Sequence, residues 1–346
     1  VLVNPIVRVL VVDDSAYVRK AVRQMLSRSP FIDVVGAARD GEEALELVEQ
    51  LAPDVVTLDL TMPRSDGLDF LTRQMARRPV PVIVLSAASE SGELVLRALD
   101  AGAVAVVQKP TALATDRVFE ITDELIATVK AVAAARLPGP AATPPQSVPA
   151  APAPRTRTAD VVVIGVSTGG PQALKRIIPR LPADFPVPVA MVLHMPVGYT
   201  ELFARSLGEA SRMAVAEAQE GDLFRPGLAL LAPAGYHLSC ARRPDGSVVA
   251  RLGLRPLDTA HRPAVDVLFR SAADVYGERT LAVVLTGMGS DGTQGAGWIK
   301  AQGGRVFTEA EETCVVYGMP RSVAEAGLSD RAVPLDKMAE AILGAV

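Results

Sequence analysis

Ser167 stands in Gly165-Val166-Ser167-Thr168-Gly169-Gly170, directly after the apolar run 161–164 and just before Pro171. That order predicts a strand, a sharp turn and a helix. A Gly-x-Ser-x-Gly elbow lifts a serine hydroxyl above a parallel sheet and points backbone N–H groups at the atom it attacks. An attacking serine needs a base within hydrogen-bond reach, and the base needs an orienting acid. The chain has three histidines, His194, His237 and His261. His194 ends the apolar run 189–193, at the sheet edge that Ser167 shares if the two strands are parallel. His237 lies inside a weaker strand pattern, and His261 precedes Arg262-Pro263 at a helix start. An isolated histidine is more often structural than catalytic, but a strand end beside a serine elbow favours His194 as the base. The expected acid is Asp291, in Thr286-Gly287-Met288-Gly289-Ser290-Asp291-Gly292 after the run 281–286. Its glycines let the backbone come close, so an N–H near Met288 is an expected oxyanion donor, of a kind worth about 3–4 kcal/mol in the transition state.

A second constellation lies over a hundred residues upstream. Asp13 and Asp14 follow the first apolar run, Asp59 the third, Ser86 the fourth, and Lys109-Pro110 the fifth. Carboxylates gathered at strand ends repel one another, and a hard divalent cation relieves this; Mg²⁺ suits a few carboxylates, waters and a phosphate. Asp59 would then accept a phosphoryl group, with Ser86 and Lys109 offering a hydroxyl and an ammonium to its oxygens. Taken singly, acids and lysines in loops are usually only solvated. Together, at the carboxyl ends of successive strands, they read as one pocket.

Both constellations need parallel sheets to hold them. Short β-branched runs at 7–12, 34–37, 55–58, 82–85 and 104–107 alternate with amphipathic stretches at 16–28, 42–51, 67–77, 92–100 and 117–135. Five such βα units imply a sheet buried on both faces, with ligands at the carboxyl ends of its strands. The second half is also α/β. Its strong strands are expected at 161–164, 189–193 and 281–286, with weaker ones near 228–231, 236–240, 248–252 and 304–307. Helices are expected at 171–180, 199–208, 263–276, 293–301 and 335–344. Between the halves, 137–154 holds seven prolines among alanines. It cannot build a core and reads as a semi-rigid linker reaching about 55 Å if extended at about 3.1 Å per residue. The expected division is 1–133, a Pro/Ala-rich linker over 134–158, and 159–346.

Gly287-x-Gly289-x-x-Gly292, with Glu309 further on, also fits a dinucleotide fingerprint. Asp291 would set a carboxylate against the pyrophosphate, and only 37 residues follow Glu309, too few for a second dinucleotide-binding half. Nicotinamide cofactor binding is therefore disfavoured. The 346 residues carry a net charge of −4 and are 49% hydrophobic. No basic excess argues for nucleic acid, and no apolar run approaches the roughly 18 residues of a membrane span. The first residues show no signal-peptide pattern. Cys240 and Cys314 have no metal spacing. The expectation is a cytoplasmic protein, not inserted in a membrane.

Asp13, Asp14, Asp59, Ser86 and Lys109 together resemble the receiver domain of bacterial response regulators, over about residues 6–130. The resemblance implies a flavodoxin-like fold with Asp59 as phospho-acceptor, Asp13 and Asp14 (with Asp59) holding Mg²⁺, Ser86 and Lys109 as switch residues, and a histidine kinase as phosphodonor. Val106 stands where such domains commonly carry an aromatic switch residue. Gly165–Pro171, His194-Met195-Pro196, His261–Asp266, Leu285–Gly292 and Tyr317–Arg321 look like the chemotaxis protein-glutamate methylesterase family. That resemblance implies a Rossmann-like three-layer α/β/α domain and a Ser167–His194–Asp291 triad supported at the oxyanion by Thr168 and Met288. It also implies no cofactor at the esterase site, and as substrates glutamyl methyl esters, with some glutamines, on methyl-accepting chemotaxis receptors. The order Ser–His–Asp differs from the Ser–acid–His order of α/β-hydrolases. Leu193 replaces a glutamine often seen before the histidine. The receiver is expected to cover the esterase site until Asp59 is phosphorylated. Other readings are a receiver-linked module without catalysis, or a general esterase of small molecules.

Overall fold

The computed structural model describes residues 6–62, 66–87, 92–109, 117–135 and 159–346. The chain divides into two compact units, Val1–Leu137 and Pro138–Val346. Pro110 and all but the first two residues of the expected linker lie outside the described residues.

The first unit alternates β1 (Val7–Val12), α1 (Ala16–Leu26), β2 (Ile32–Ala38), α2 (Gly41–Leu51), β3 (Val55–Asp59), α3 (Gly67–Arg77), β4 (Val82–Ser86), α4 (Gly92–Asp100), β5 (Ala105–Gln108) and α5 (Arg117–Ala133). All five strands are parallel, in the order β2-β1-β3-β4-β5. The chain reverses its direction of winding at β1, and the crevice between β1 and β3 is where such sheets bind ligands. β3 and β4 are buried along their whole length, as expected of parallel strands rich in β-branched residues and covered on both faces.

The second unit is built on one seven-stranded parallel sheet, β14-β13-β12-β6-β7-β9-β8. Its strands are β6 (Val161–Val166), β7 (Val189–Leu193), β8 (Ala214–Glu217), β9 (Leu228–Leu231), β12 (Thr280–Val284), β13 (Arg305–Glu309) and β14 (Arg331–Val333); β10 (His237–Arg242) and β11 (Val248–Gly253) form a separate antiparallel hairpin. The helices are α6 (Gly170–Ile177), α7 (Thr200–Glu209), α8 (Val265–Tyr276), α9 (Thr293–Ala301), α10 (Met319–Glu325) and α11 (Leu335–Leu343). α6 packs on α7 and α11, whereas α8 packs on α9, β6 and the hairpin. In α8 the residues Val265, Leu268, Phe269, Ala272 and Ala273 are buried, a stripe at helical spacing. It meets Val161 and Val163 of β6 in one core. Burying each large side chain there contributes about 1.5–3 kcal/mol. β6 is the switch strand of this sheet, because the chain winds from it toward β7 on one side and returns toward β12 on the other. Ser167 follows β6 directly.

Candidate active site and acid pocket

β6 and β7 run in register, Val166 opposite Leu193, so the next residues, Ser167 and His194, leave adjacent strand ends. The His194 N–H donates to the Val166 carbonyl at 3.1 Å, and the Ser167 N–H donates to the Thr286 carbonyl of the loop after β12 at 3.0 Å. Ser167 is thereby held between the strand ends that carry His194 and the Asp291 loop. The turn that follows uses Gly169 in the left-handed region, φ +78°, as the residue before α6. Among the described residues Ala52 is the non-glycine at positive φ. The elbow therefore places its unusual backbone conformation on Gly169 and leaves Ser167 unstrained.

His194 Nε2 lies 2.9 Å from Asp291 Oδ2, with side chains 8% and 12% exposed. The same Oδ2 accepts the Val265 N–H at 2.8 Å, and Oδ1 accepts the Asp266 N–H at 2.9 Å. Asp291 thus orients the imidazole and also closes the first turn of α8, where a negative charge is favoured. Burial acts to raise its pKa. The hydrogen bond and charge of His194 and the two backbone N–H groups outweigh that and hold the carboxyl below its ordinary 3.8. Asp266 shows the opposite balance: burial and the neighbouring Asp291 push it up to about 6. Its Oδ1 accepts the Gly295 N–H at 2.7 Å.

Because Nε2 serves Asp291, the proton acceptor left to His194 is Nδ1, which is buried and has no hydrogen-bond partner. Among the described residues no hydrogen bond joins Ser167 to His194; such bonds are often long before substrate binds. The ring of His261 stacks on His194, centroids 4.0 Å apart and planes 26° apart. In the sequence His261 stands as an alternative base and as the first residue of the 261–266 motif, and nothing local there signals this stacking.

Thr168 follows Ser167 directly, and Gly287, the residue before Met288, packs against the Ser167 Cβ. Thr286 Oγ1 donates to the Thr168 carbonyl at 2.9 Å and accepts the Val316 N–H at 2.9 Å. The Gly287 carbonyl accepts from Gly318 and Met319. The segment Val316–Met319 is thus strapped to Thr286 and Gly287, the residues that flank the Ser167 backbone and Cβ. Glu309 is fully buried and accepts the Thr286 N–H at 2.8 Å, so it braces the 286–292 loop where a dinucleotide site would need it at a ribose. A Cβ on Gly287 would fall 2.4 Å from Met319 Sδ and 2.8 Å from Ser167 Cβ. Gly287→Ala is expected to shift Ser167 and lower its rate of fluorophosphonate labelling at least about 10-fold. Overpacking of about 1–3 kcal/mol should also lower the melting temperature by several degrees. Parent-like labelling and melting would show that the strap yields freely.

In the first unit, oxygens of Asp13, Asp14 and Asp59 gather within 4.8 Å. Lys109 Nζ lies 2.7 Å from Asp59 Oδ1 and 3.3 Å from Asp13 Oδ2. Burial raises the Asp13 pKa; Lys109 offsets this in part, and the Asp59 charge adds to it. Burial alone would lower the Lys109 pKa, but the hydrogen bond to Asp59 and the two carboxylate charges leave it raised. The Lys109 N–H donates to the Ser86 carbonyl at 2.7 Å, which sets Ser86 beside it. Three carboxylates with oxygen-only donors and one ammonium form a set suited to a hard divalent cation. Among the described residues no helix is long and apolar enough to cross a membrane.

The sequence model of the CheB methylesterase family matches residues 162–342, and that of the response regulator receiver domain matches 9–118. The chain is 52% identical to protein-glutamate methylesterase/protein-glutamine glutaminase 5 of Myxococcus xanthus, over 97% of each chain. It is 45% identical to the protein-glutamate methylesterase/protein-glutamine glutaminase of Symbiobacterium thermophilum, over 98% of this chain and 97% of that one. The crystal structure of the Thermotoga maritima CheB methylesterase catalytic domain matches with a TM-score of 0.53 and 44% identity, covering 55% of this chain and all of that domain.

Proposed function

The chain belongs to the CheB methylesterase family and carries a response-regulator receiver domain, and on that footing we propose that Ser167, His194 and Asp291 hydrolyse glutamyl methyl esters on methyl-accepting chemotaxis receptors. The observation that carries this reading is the His194 Nε2–Asp291 Oδ2 hydrogen bond, which leaves Nδ1 without a partner on a residue that follows the strand end adjacent to that of Ser167. Asp291 holds the proton on Nε2, so the Nδ1 lone pair is free to take the serine proton. As it does so, Ser167 Oγ bonds to the ester carbonyl carbon, and the N–H groups of Thr168 and Met288 receive the developing oxyanion. The intermediate collapses with cleavage of the C–O bond, and His194 Nδ1 returns the proton to the departing methanol. Water then repeats the sequence on the acyl-enzyme. The same steps on a glutamine side chain release ammonia, in keeping with the glutaminase in the relatives' names.

In this reading residues 1–133 are the receiver, 134–158 the linker and 159–346 the catalytic module. Asp59 accepts a phosphoryl group from a histidine kinase. Asp13, Asp14 and Asp59 would hold Mg²⁺, which supplies positive charge to the phosphoryl oxygens. Lys109 and Ser86 contact the phosphorylated Asp59 and pass on its state. Phosphorylation then raises esterase activity by shifting the receiver away from a covering state.

Methanol release from methylated receptor membranes, with and without a small phosphodonor, tests both parts. The phosphodonor should raise release by about 10-fold or more, which needs a population shift of about 1.4 kcal/mol. Asp59→Asn should remove the response and keep the basal rate. A response that survives in Asp59→Asn would refute the switch, and absence of any release would refute the substrate.

A further inference from the structure

Two histidines lie outside the triad, and the fold gives each a defined setting. His237 is 2% exposed. Its Nδ1 accepts the Ala264 N–H at 3.1 Å, and its Nε2 faces the Pro256 carbonyl at 3.0 Å and Thr259 Oγ1 at 3.4 Å. The Gly235 N–H donates to the Arg262 carbonyl at 3.0 Å. These bonds fix the segment 256–264 at several points. His261 sits within it, and its ring covers one face of the His194 imidazole.

The need for that cover follows from which nitrogen Asp291 holds. An imidazole turns about its Cβ–Cγ bond, and that axis, extended across the ring, passes through the opposite Cε1–Nε2 edge. Nε2 therefore lies close to the axis and Nδ1 farther from it. A hydrogen bond at Nε2 restrains the turn weakly, while a small turn swings Nδ1 away from the serine. In a triad whose acid binds Nδ1, the acid itself resists the turn. Here the acid binds Nε2, and a flat ring on the imidazole face resists it instead.

We infer that His261 is a positioning residue for the esterase reaction: its ring, laid on His194, sets the rotation of that imidazole and aims Nδ1 at the Ser167 hydroxyl. The inference rests on the triad reading given above. Its chemistry is consistent with the position. Burial and the charge of His194 lower the His261 pKa to about 4, against a smaller opposing effect of Asp291. The covering ring is thus neutral while His194 becomes a cation in the transition state. A second cation 4.0 Å away would oppose that step.

The test compares the full-length protein with His261→Ala, His261→Leu and His261→Phe. In methanol release, His261→Ala and His261→Leu are expected to lose about 100-fold in kcat with KM nearly unchanged, the scale of a small misplacement of a reacting group. His261→Phe, which restores a flat neutral ring, should regain most of the loss. The rate of Ser167 labelling by a small fluorophosphonate should follow the same order, and it needs no receptor. Equal labelling of parent and His261→Ala, or a folded His261→Phe as slow as His261→Ala, would overturn the role. Normal labelling of the parent without methanol release would instead fault the receptor substrate. A parent that does not label would refute the triad. In that case ¹⁵N spectra of the imidazoles still decide on His261: the parent should show one Nε2–H state for His194 and His261→Ala a broadened mixture, whereas identical spectra would refute the contact's role.

Discussion

Replacing Ser167 with alanine is expected to lower methanol release from methylated receptors by about 10⁴- to 10⁶-fold, the range seen when the nucleophile of a serine triad is removed. Labelling by fluorophosphonate should vanish with it. The fold should be untouched. The Ser167 N–H bond to the Thr286 carbonyl and the bond from the Gly170 N–H to the Ser167 carbonyl are backbone interactions that alanine keeps. Alanine also keeps the Cβ that rests against Gly287. Stability should therefore stay within about 0.5 kcal/mol of the parent. This separates the nucleophile from Gly287, whose replacement should disturb both rate and melting. Methanol release by Ser167→Ala at even a hundredth of the parent rate would place the nucleophile elsewhere.

Much of this arrangement is legible in the sequence because the chemistry sits at strand ends. Apolar runs locate β1, β3 and β6 to within two residues, and the residues just after such a run in a parallel sheet lie at the ligand-binding edge. Ser167, His194, Asp13 and Asp59 are all found in this way. Parallel order itself is harder to read. β8 and β14 were not foreseen: β8 alternates half-buried with exposed residues, and β14 is three residues long, so neither makes an apolar run. α10 was also missed, although Pro320 at its start is an ordinary helix opening.

The contacts that finish the site are less legible because they are long-range. Glu309 braces Thr286 across 23 residues, and Thr286 links Thr168 to Val316. No local periodicity encodes such links. The same holds for His261. Its neighbours Arg262 and Pro263 mark a helix start, but only the packing of 256–264 brings its ring to His194. The choice of Nε2 as the nitrogen facing Asp291 is likewise a matter of approach direction, which residue types alone do not specify.

Asp291→Asn is expected to cost about 10⁴-fold in kcat, as when the orienting acid of a triad becomes an amide. The geometry makes the reason specific. Oδ2 accepts from both His194 Nε2 and the Val265 N–H, and Oδ1 accepts from the Asp266 N–H. If the amide oxygen takes the Oδ2 position, the amide NH₂ confronts the Asp266 N–H, donor against donor. In the flipped orientation the NH₂ confronts the Val265 N–H and pushes the His194 proton onto Nδ1, where it blocks acceptance from Ser167. Either orientation strands a backbone donor at the start of α8, so a stability loss of about 1–3 kcal/mol should accompany the kinetic one. The pH dependence gives a further check. The Asp291 pKa is lower in the folded state than its ordinary 3.8. Its ionised form thus contributes stability that is present above about pH 4 and lost as pH falls through the folded pKa. Asp291→Asn lacks that group, so its stability should fall less steeply than the parent's as the pH drops below about 4. Denaturant midpoints measured from neutral pH to below about pH 4, beside kcat at neutral pH, test both effects. Unchanged kcat with the stability loss intact would leave Asp291 as a helix cap alone and remove it from the triad.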